Sequence, residues 1–451
     1  MKLWNKIGAG LVRVNQAPGL RGKISTFRQL SQVALRSRLR SNASAVSDKS
    51  VAADAWADYH LLSYVCRDIK VDIDPDLTPR IRFLLPELNA SVIFGGYTAL
   101  FQFANFLQDR GWKTGVFVLT PVGNLKALLE TFESNALVHK VLSESEISDM
   151  NATKTMRMSP KDMIVSYNWT TSIAAATMSR HLDDPAYYYF VQEDERCFYS
   201  NDSHRFLAES VFLNDPKPRL ICNSAKLLDH YRAEGLVSDE TVVGVFEQGL
   251  PAPASLSREA MEKRSPRRFV FYGRPEDHAK RNLMSIAMMA IAKAKKSGAF
   301  DAEPWEFCMM GSPRMGKSFD LEGVRVKCLP YQGYDAYRET LAGFDVGLSL
   351  MYAPHPSVPP FEMVRSGMVT VVNTTPRRPD EWYRSISANF EPGEPSVDGL
   401  ADAIKRATAR VGDIDARLAA TETYHPSNWD ESFADLPAQL GHAIFSKNGT
   451  E

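Results

Sequence analysis

The stretch Val346-Gly-Leu-Ser-Leu-Met351-Tyr-Ala-Pro-His355-Pro-Ser357-Val358-Pro359-Pro360-Phe361-Glu362 decides the fold. Val346–Met351 is apolar and short, as a buried strand is. After the turn, Pro359 and Pro360 stand where a helix begins, since the missing proline N–H costs little in a first helical turn. Strand, turn, helix is the unit of a parallel sheet. The unit recurs in both directions. Towards the C-terminus, Val369–Asn373 reads as a strand and Val397–Val411 as a helix. Towards the N-terminus, strands are expected at Arg268–Tyr272, Glu306–Met310 and Arg325–Leu329, with helices near Arg281–Lys296 and Ala336–Phe344. A proline-bearing linker, Pro251–Arg267, separates these from a second series. That series has strands at Ile81–Leu85, Gly115–Leu119, Met163–Tyr167, Tyr187–Val191, Leu220–Asn223 and Val242–Phe246, with helices near Tyr97–Arg110, Asn124–Phe132, Thr171–His181 and Ala225–Glu234.

The expected fold class is therefore α/β, with two doubly wound Rossmann-like domains. The pattern predicts a basic N-terminal extension over 1–50, an N-terminal domain over 51–252 and a C-terminal domain over 253–420. A last segment, 421–451, holds a helix around Trp429–Leu440 with the option of crossing back to the first domain. The length of 451 residues agrees with two or three domains at about 150 residues each.

Composition excludes several classes. Lys and Arg total 53 against 54 Asp and Glu, so the net charge of −1 gives no whole-molecule attraction to nucleic acid. The longest apolar runs, Ile286–Ala292 and Ile173–Met178, fall far short of the roughly 20 residues a membrane span needs. The cysteines at 66, 197, 222, 308 and 328 form no C-x-x-C pair, which suits free thiols in a reducing, cytoplasmic setting. The histidines do not cluster as zinc ligands, and no metal is expected.

The extension is different. Lys2, Lys6, Arg13, Arg21, Lys23, Arg28, Arg36, Arg38, Arg40 and Lys49 face a single acid, Asp48. Phe27, Leu30, Val33, Ala34 and Leu35 fall near helical spacing among these cations. One reading is an interfacial helix over residues 1–45, peripheral on the anionic inner face of the plasma membrane. The others are a solvated or docked leader and an Arg-rich transit segment.

In open α/β sheets, ligands bind beyond the carboxyl ends of the strands, so chemistry belongs to the strand-to-helix turns. Gly95-Gly96 opens a helix and lets backbone N–H groups approach a phosphate, although Gly pairs also serve as plain turns. Arg274, Lys280 and Arg281 gather positive charge after Arg268–Tyr272, suited to a diphosphate if it is not merely solvated. In the stretch quoted first, the N–H groups of Ser357 and Val358 would point at an anion. Glu362 could accept from two vicinal ribose hydroxyls or simply complement the helix dipole. Glu193-Asp194-Glu195, after Tyr187–Val191, could hold a divalent metal, bind sugar hydroxyls or form a solvated loop. Asp72, Asp74 and Asp76 resemble a D-x-D metal motif but precede the first strand and surround Pro75.

Taken in order, these turns resemble those of the two-domain glycosyltransferases of the GT-B fold, family four. There a Gly-rich turn is followed by a G-R…K diphosphate motif and an E-x7-E segment. Glu362 matches the second Glu of that segment; Pro354 stands at the first, beside His355. The sequence is most similar to the WsaF-type rhamnosyltransferases of bacterial surface-glycan assembly. Leu85–Asn89 with Phe94-Gly95-Gly96, Tyr189–Asp194 with Phe198-Tyr199, Tyr272–Pro275 with Arg281-Asn282, and Gly347–Met351 with Pro354–Met363 carry the resemblance. It covers about residues 80–435 and leaves the extension outside.

The resemblance implies two domains facing a cleft and a retaining, metal-independent transfer without a cofactor, from a nucleotide-sugar substrate, in the first place dTDP-L-rhamnose. It implies that Arg274, Arg281 and Glu362 carry the reaction, the arginines at the diphosphate and Glu362 on the deoxyribose or ribose. Gly95, Gly96, Lys280, His355, Ser357 and Val358 would complete the donor site, with Gly311 and Tyr331 near the base. Asn168, Trp169, Gln192, Glu193 and Asp194 are the candidates for a glycan acceptor, which could be lipid-linked; Trp169 would stack on a sugar face or belong to the core. Other donors, UDP- or GDP-sugars, and a non-catalytic glycan-binding protein of the same fold are the rival expectations. The oligomeric state is left open.

Overall fold

The computed structural model describes residues 48–90, 92–93, 95–150, 155–213, 215–251, 256–312, 315–330 and 332–436. The extension expected over 1–50, with its interfacial helix, lies outside these residues up to 47. The helix Asp48–Val65 follows, carrying exposed Trp56 and Tyr59 in edge-to-face contact; it belongs to a unit that ends at Tyr64.

From Val65 onward the chain forms a compact unit built on two seven-stranded sheets and a small two-stranded one. The small sheet pairs β1 (Val71–Ile73) with β5 (Met156–Met158). The first large sheet contains β2 (Ile81–Leu85), β3 (Thr114–Val118), β4 (Ser145–Asp149), β6 (Met163–Ser166), β7 (Tyr187–Val191), β8 (Arg219–Asn223) and β9 (Val242–Phe246). Its order is β4-β3-β2-β6-β7-β8-β9, parallel throughout. The second contains β10 (Arg267–Tyr272), β11 (Trp305–Met310), β12 (Ser318–Leu321), β13 (Val324–Cys328), β14 (Val346–Leu348), β15 (Val369–Asn373) and β16 (Phe390–Gly393). Its order is β12-β13-β11-β10-β14-β15-β16, and only the β12–β13 pair is antiparallel. Without β12, the second sheet has the 3-2-1-4-5-6 order of the dinucleotide-binding fold, and the first repeats that order with one strand added. In both, the order reverses beside the sheet's first long strand, between β2 and β6 and between β10 and β14.

Apolar strands buried on both faces require helices on both sides. Phe103 of helix Gly95–Gln108 stacks on Phe190, and Phe190 on Phe246. In the second lobe, Ala287, Ala290, Ile291 and Ala294 of helix Met284–Lys296 pack with Leu400, Ala403 and Ile404 of helix Val397–Ala409 over β10 and β14. The linker expected at Pro251–Arg267 contains a short helix, Arg258–Glu262, because Ser257 caps it and Met261 is buried. Helix Trp429–Phe433 packs on the first lobe: Phe433 meets Phe103, Phe106 and Phe246 at 5.2–5.5 Å. The chain therefore passes between lobes twice. The two passages touch, with Leu250 N–H donating to the Pro426 carbonyl (2.8 Å).

Charge is also buried. Asp345 is inaccessible and meets Arg264 at 2.9 Å and Arg417 at 3.2 Å, with Arg267 at 3.8 Å. Helix Trp169–Ser179 starts under two caps. Asn168 accepts from Thr171 N–H (3.0 Å), and Glu195 accepts from Trp169 N–H (2.6 Å) and the Tyr189 hydroxyl (2.7 Å). Burial pushes the Glu195 carboxyl up to about 7 against these two bonds, with the charges of Asp194 and Glu193 adding to the rise.

Two stability outcomes are expected. Asp345→Asn removes a fully buried charge shared by three arginines and should cost roughly 3 kcal/mol or more in urea unfolding. For Glu195, a carboxyl held above its ordinary value binds its proton more tightly when folded, so its contribution is complete below about pH 4.5 and is lost as pH rises through about 7. Glu195→Gln should therefore be the more stable protein at pH 8, by on the order of 2 kcal/mol, and lose that advantage at pH 5. Thermal unfolding at the two pH values reads this directly.

Candidate functional site

The turns that follow β10 and β14 meet at the reversal point of the second sheet. After β10, Gly273-Arg274-Pro275 leads into a 3-10 turn, Asp277–Asn282. Leu283, left-handed at φ 52°, separates that turn from helix Met284–Lys296, so Arg281 sits on the turn rather than at the expected helix start. Tyr352 N–H donates to the Arg281 carbonyl (2.8 Å), tying the two loops together. Gly311, after β11, closes on the same place. At its φ of 109° a side chain is disfavoured, and a Cβ would lie 2.9 Å from the Tyr272 ring and 3.0 Å from the Gly273 carbonyl.

Arg274 donates from Nη2 to His278 Nε2 (3.0 Å) and lies 3.6 Å from Glu276. Arg281 donates from Nη1 to the His278 carbonyl (2.6 Å), and its guanidinium covers the Phe198 ring of the other lobe at 4.5 Å. Burial lowers the Arg281 pKa, the Glu193 charge opposes that, and the charge of Arg274 deepens it. Tyr272 joins the group. Burial raises its phenol, while the charges of Arg274 and Arg281 and a hydrogen bond from Arg274 oppose this and Glu362 reinforces it. Glu362, in the first turn of helix Pro359–Arg365, accepts from the Tyr337 hydroxyl (2.9 Å). The structure thus gathers Arg274, Arg281, Gly311 and Glu362 around Tyr272.

The turn after β14 is braced from below. Arg378, 1% exposed, donates to the carbonyls of Met351 (2.8 Å), Ala353 (2.9 Å) and His355 (3.3 Å), and Asn373 bonds both the N–H and the carbonyl of Met351. Sequence reading missed Arg378. In Thr374-Thr375-Pro376-Arg377-Arg378 nothing separates it from a surface arginine. His355 is buried, and burial, aided by the charges of Arg378 and Arg281, lowers its pKa to about 3. It is therefore neutral near pH 7. Its Nδ1 accepts from Ser357 N–H (3.0 Å), which leaves the proton on Nε2.

That bond corrects one expectation: the Ser357 amide is turned back onto His355 by a left-handed backbone (φ 66°) and does not face an anion. Val358 occupies the position before the helix, with its carbonyl accepting from Phe361 and Glu362. Lys280 stands apart from the arginines. It is 77% exposed and pairs with Asp277 on its own turn (2.8 Å), because the 3-10 geometry points it outward. Tyr331 lies outside the described residues.

On the first lobe, Gly96 allows a close approach. A Cβ there would come within 2.7 Å of the Tyr167 hydroxyl and 3.1 Å of Gln192 Cγ. Gly95 precedes it at the start of the helix. Gln192 accepts from Asn223 Nδ2 (3.0 Å). The three acids that follow are neither a solvated loop nor a metal cluster, since each has its own protein partners. Asp194 is clamped by Arg196 (2.9 Å from both Nε and Nη2) and by His230 (3.1 Å). Burial alone would raise it, but the bonds from His230 and Arg196 hold it down at about 2. Asn168 is spent as a helix cap. Trp169 is 3% exposed and donates to the Tyr199 hydroxyl (3.0 Å), so it is a core residue and no stacking platform. Asn168, Trp169 and Asp194 therefore do not present side chains to an acceptor.

Glu193 does face the opposite lobe. Its Oε1 accepts from Asp194 N–H (3.0 Å) and, across the lobes, from His355 N–H (3.3 Å); its Oε2 lies 3.7 Å from Arg281 Nε. Burial pushes its carboxyl up to about 7 against the Arg281 charge and the two N–H bonds. The carboxyl ends of both sheets meet here, at a place rich in guanidinium and amide donors and suited to a polyanion. Among the described residues, no group of three or more His, Cys, Asp or Glu could hold a metal ion.

Comparison with known proteins agrees with this geometry. The WsaF N-terminal domain model matches residues 80–225 and the WsaF C-terminal domain model residues 267–405, one on each sheet. The O-antigen biosynthesis protein RfbC of Myxococcus xanthus is 24% identical over 348 residues, covering 75% of this chain but 25% of that protein, so the chain spans about a quarter of its relative's length. Among solved structures, Anabaena HepE in complex with UDP-glucose is similar at TM-score 0.52 and 14% identity, over 81% of this chain and all of that one. WaaG, a glycosyltransferase involved in lipopolysaccharide biosynthesis, is similar at 0.51 and 13%, over 79% and 99%. Sucrose-phosphate synthase from Thermosynechococcus elongatus is similar at 0.51 and 13%, over 81% and 100%. Such low identities bear on the fold alone, which is GT-B. With both domain models matched in order, the chain belongs to the WsaF family.

Proposed function

We propose that the chain is a glycosyltransferase that moves a sugar from a nucleoside-diphosphate donor to a growing bacterial surface polysaccharide. One observation carries the reading: Arg274 and Arg281 converge with the turn after β14 at the reversal point of one sheet, with Glu193 of the other lobe beside Arg281. Charge that develops on a departing diphosphate is stabilised by donors already in place and sheltered from water. The arginines supply these, Val358 adds a backbone amide and Gly95-Gly96 admits the phosphates closely. Glu362 takes the ribose or deoxyribose hydroxyls, and the Gly311 turn borders the base. The Myxococcus relative, an O-antigen biosynthesis protein, supports a surface glycan as product.

The finer reading is transfer of L-rhamnose from dTDP-L-rhamnose with retention and without a metal; it rests on the resemblance to WsaF-type enzymes. A lipid-linked acceptor would place the protein at the cytoplasmic face of the membrane, with residues 1–45 as its contact. No helix among the described residues is long and apolar enough to cross one.

Two outcomes are expected. In a thermal-shift panel of dTDP-, UDP- and GDP-sugars, the true donor at 100 times its Kd should add about 2.7 kcal/mol of stability, and dTDP-rhamnose should give the largest shift. A larger shift with a UDP- or GDP-sugar would replace the rhamnose assignment, and no shift with any nucleotide would favour a glycan-binding protein. Arg274→Ala should lower kcat by about 100- to 1,000-fold, the cost of one lost charge-stabilising donor. Wild-type turnover in that variant would remove Arg274 from the mechanism.

A further inference from the structure

We propose that Glu193 is an internal anion that occupies the seat of the donor's diphosphate, so that donor and carboxylate compete for the same guanidinium and amide. The proposal rests on the reading of Arg281 and the turn after β14 as diphosphate contacts.

The first argument is where the carboxylate is spent. Glu193 belongs to the first lobe, yet beyond the N–H of its own neighbour, Asp194, its side chain meets His355 N–H and Arg281, both of the second lobe. Its own lobe does not need that side chain. The backbone is held by the Tyr231 hydroxyl, which donates to the Glu193 carbonyl (3.1 Å), and the loop by the Asp194–Arg196–His230 clamp.

The second argument is that the fit is incomplete. Among the described residues, neither Arg281 Nε nor Arg274 Nε has a hydrogen-bond acceptor, although both atoms are buried. Leaving a buried charged donor unmet is costly. At 3.7 Å the Glu193 carboxylate gives Arg281 its charge but not its hydrogen bond. Glu276 stands in the same relation to Arg274 at 3.6 Å. A carboxylate is planar and tethered to the opposite lobe. An untethered diphosphate has tetrahedral oxygens that could serve both Nε groups at once and satisfy them in line. The site thus holds enough negative charge to stand closed and too few acceptors to be satisfied, as a placeholder would.

The test is calorimetry at about pH 8.5, above the value of about 7 to which burial raises the Glu193 carboxyl, with inorganic pyrophosphate and with dTDP, UDP and GDP, on the full chain and on three variants. Glu193→Gln keeps the shape and an acceptor for His355 N–H but removes the competing charge. It should bind pyrophosphate and the preferred nucleotide about tenfold more tightly than wild type. Glu193→Asp keeps the charge and should stay within about threefold of wild type. A merely structural Glu193 would make the Gln variant bind more weakly or equally, and either result overturns the proposal. Arg281→Ala separates this failure from failure of the donor reading. If wild type binds nucleotide, Arg281→Ala does not, and Glu193→Gln gains nothing, the donor site stands and the competition falls. If Arg281→Ala binds as wild type does, or if neither wild type nor Glu193→Gln binds any of the probes, both fall together. Unliganded melting temperature confirms that each variant is folded.

Discussion

Buried guanidinium groups with more donors than acceptors set the terms for the centre of this molecule. Arg274 and Arg281 both follow β10, and among the described residues each keeps a buried Nε without an acceptor. A protein can hold such a group only if its surroundings over-determine the position. Here they do. Phe198 lies under Arg281, the carbonyl of Arg281 is bonded by Tyr352, Arg274 hydrogen-bonds Tyr272, and Gly311 packs against the Tyr272 ring. His355 is kept neutral by burial and by the charges of Arg378 and Arg281, so it adds no further positive charge to theirs. The arrangement concentrates positive potential where two sheets aim their carboxyl ends.

That concentration is a product of topology. Both sheets reverse their order beside their first long strand, so each opens a crevice there, and the residues that fill it come from turns far apart in sequence. Gly96 meets Tyr167 and Gln192 across β2, β6 and β7; Arg281 meets Tyr352 across β10 and β14. Each lobe contributes a finished half. In the second lobe's half, Arg378 and Asn373 fix the turn after β14 through its carbonyls and the Met351 amide.

Much of this was legible in the sequence, for a physical reason. β2, β7, β9 and β15 stand where the apolar runs placed them; β2, β7 and β15 are buried along their whole length, and such strands are mostly apolar. β4 and β16 were missed. Ser145-Glu-Ile-Ser-Asp149 at a sheet edge has only one apolar residue, and Pro392 in β16 is tolerated only because that strand, too, is an edge. The strand-end turns were also legible as the site, since parallel topology leaves no other place for ligands. Direction was not. Trp169, Asn168 and Asp194 stand in the same kind of turn as Glu193 but point inward, to Tyr199, to a helix end and to Arg196. Whether a side chain turns in or out depends on partners tens of residues away, and a local pattern holds no record of them. Arg378 failed to stand out for the same reason: its partners lie more than twenty residues earlier.

The contacts between lobes fall into two kinds, and the difference bears on how a ligand could enter. Along the two chain passages they engage the backbone: the Arg365 guanidinium donates to the Leu250 carbonyl (2.6 Å), Leu250 N–H to the Pro426 carbonyl, and Gly249 lies so close to Asn428 that a Cβ would come within 2.7 Å of its backbone. Such contacts leave little room for adjustment. At the strand ends they are side-chain contacts of modest strength: Arg281 over Phe198, Lys226 over Trp382 at 5.3 Å, Arg377 to Glu234 at 3.9 Å, and Glu193 to Arg281 and His355. Cation–aromatic and loosely spaced ionic contacts are each worth about 1 kcal/mol when partly exposed. Separation of the lobes would therefore cost least at the strand ends and most at the passages, which is the mechanics of a hinge opening on its active edge. Glu193, with Phe198, Lys226 and Glu234, is among the first-lobe residues that span that edge.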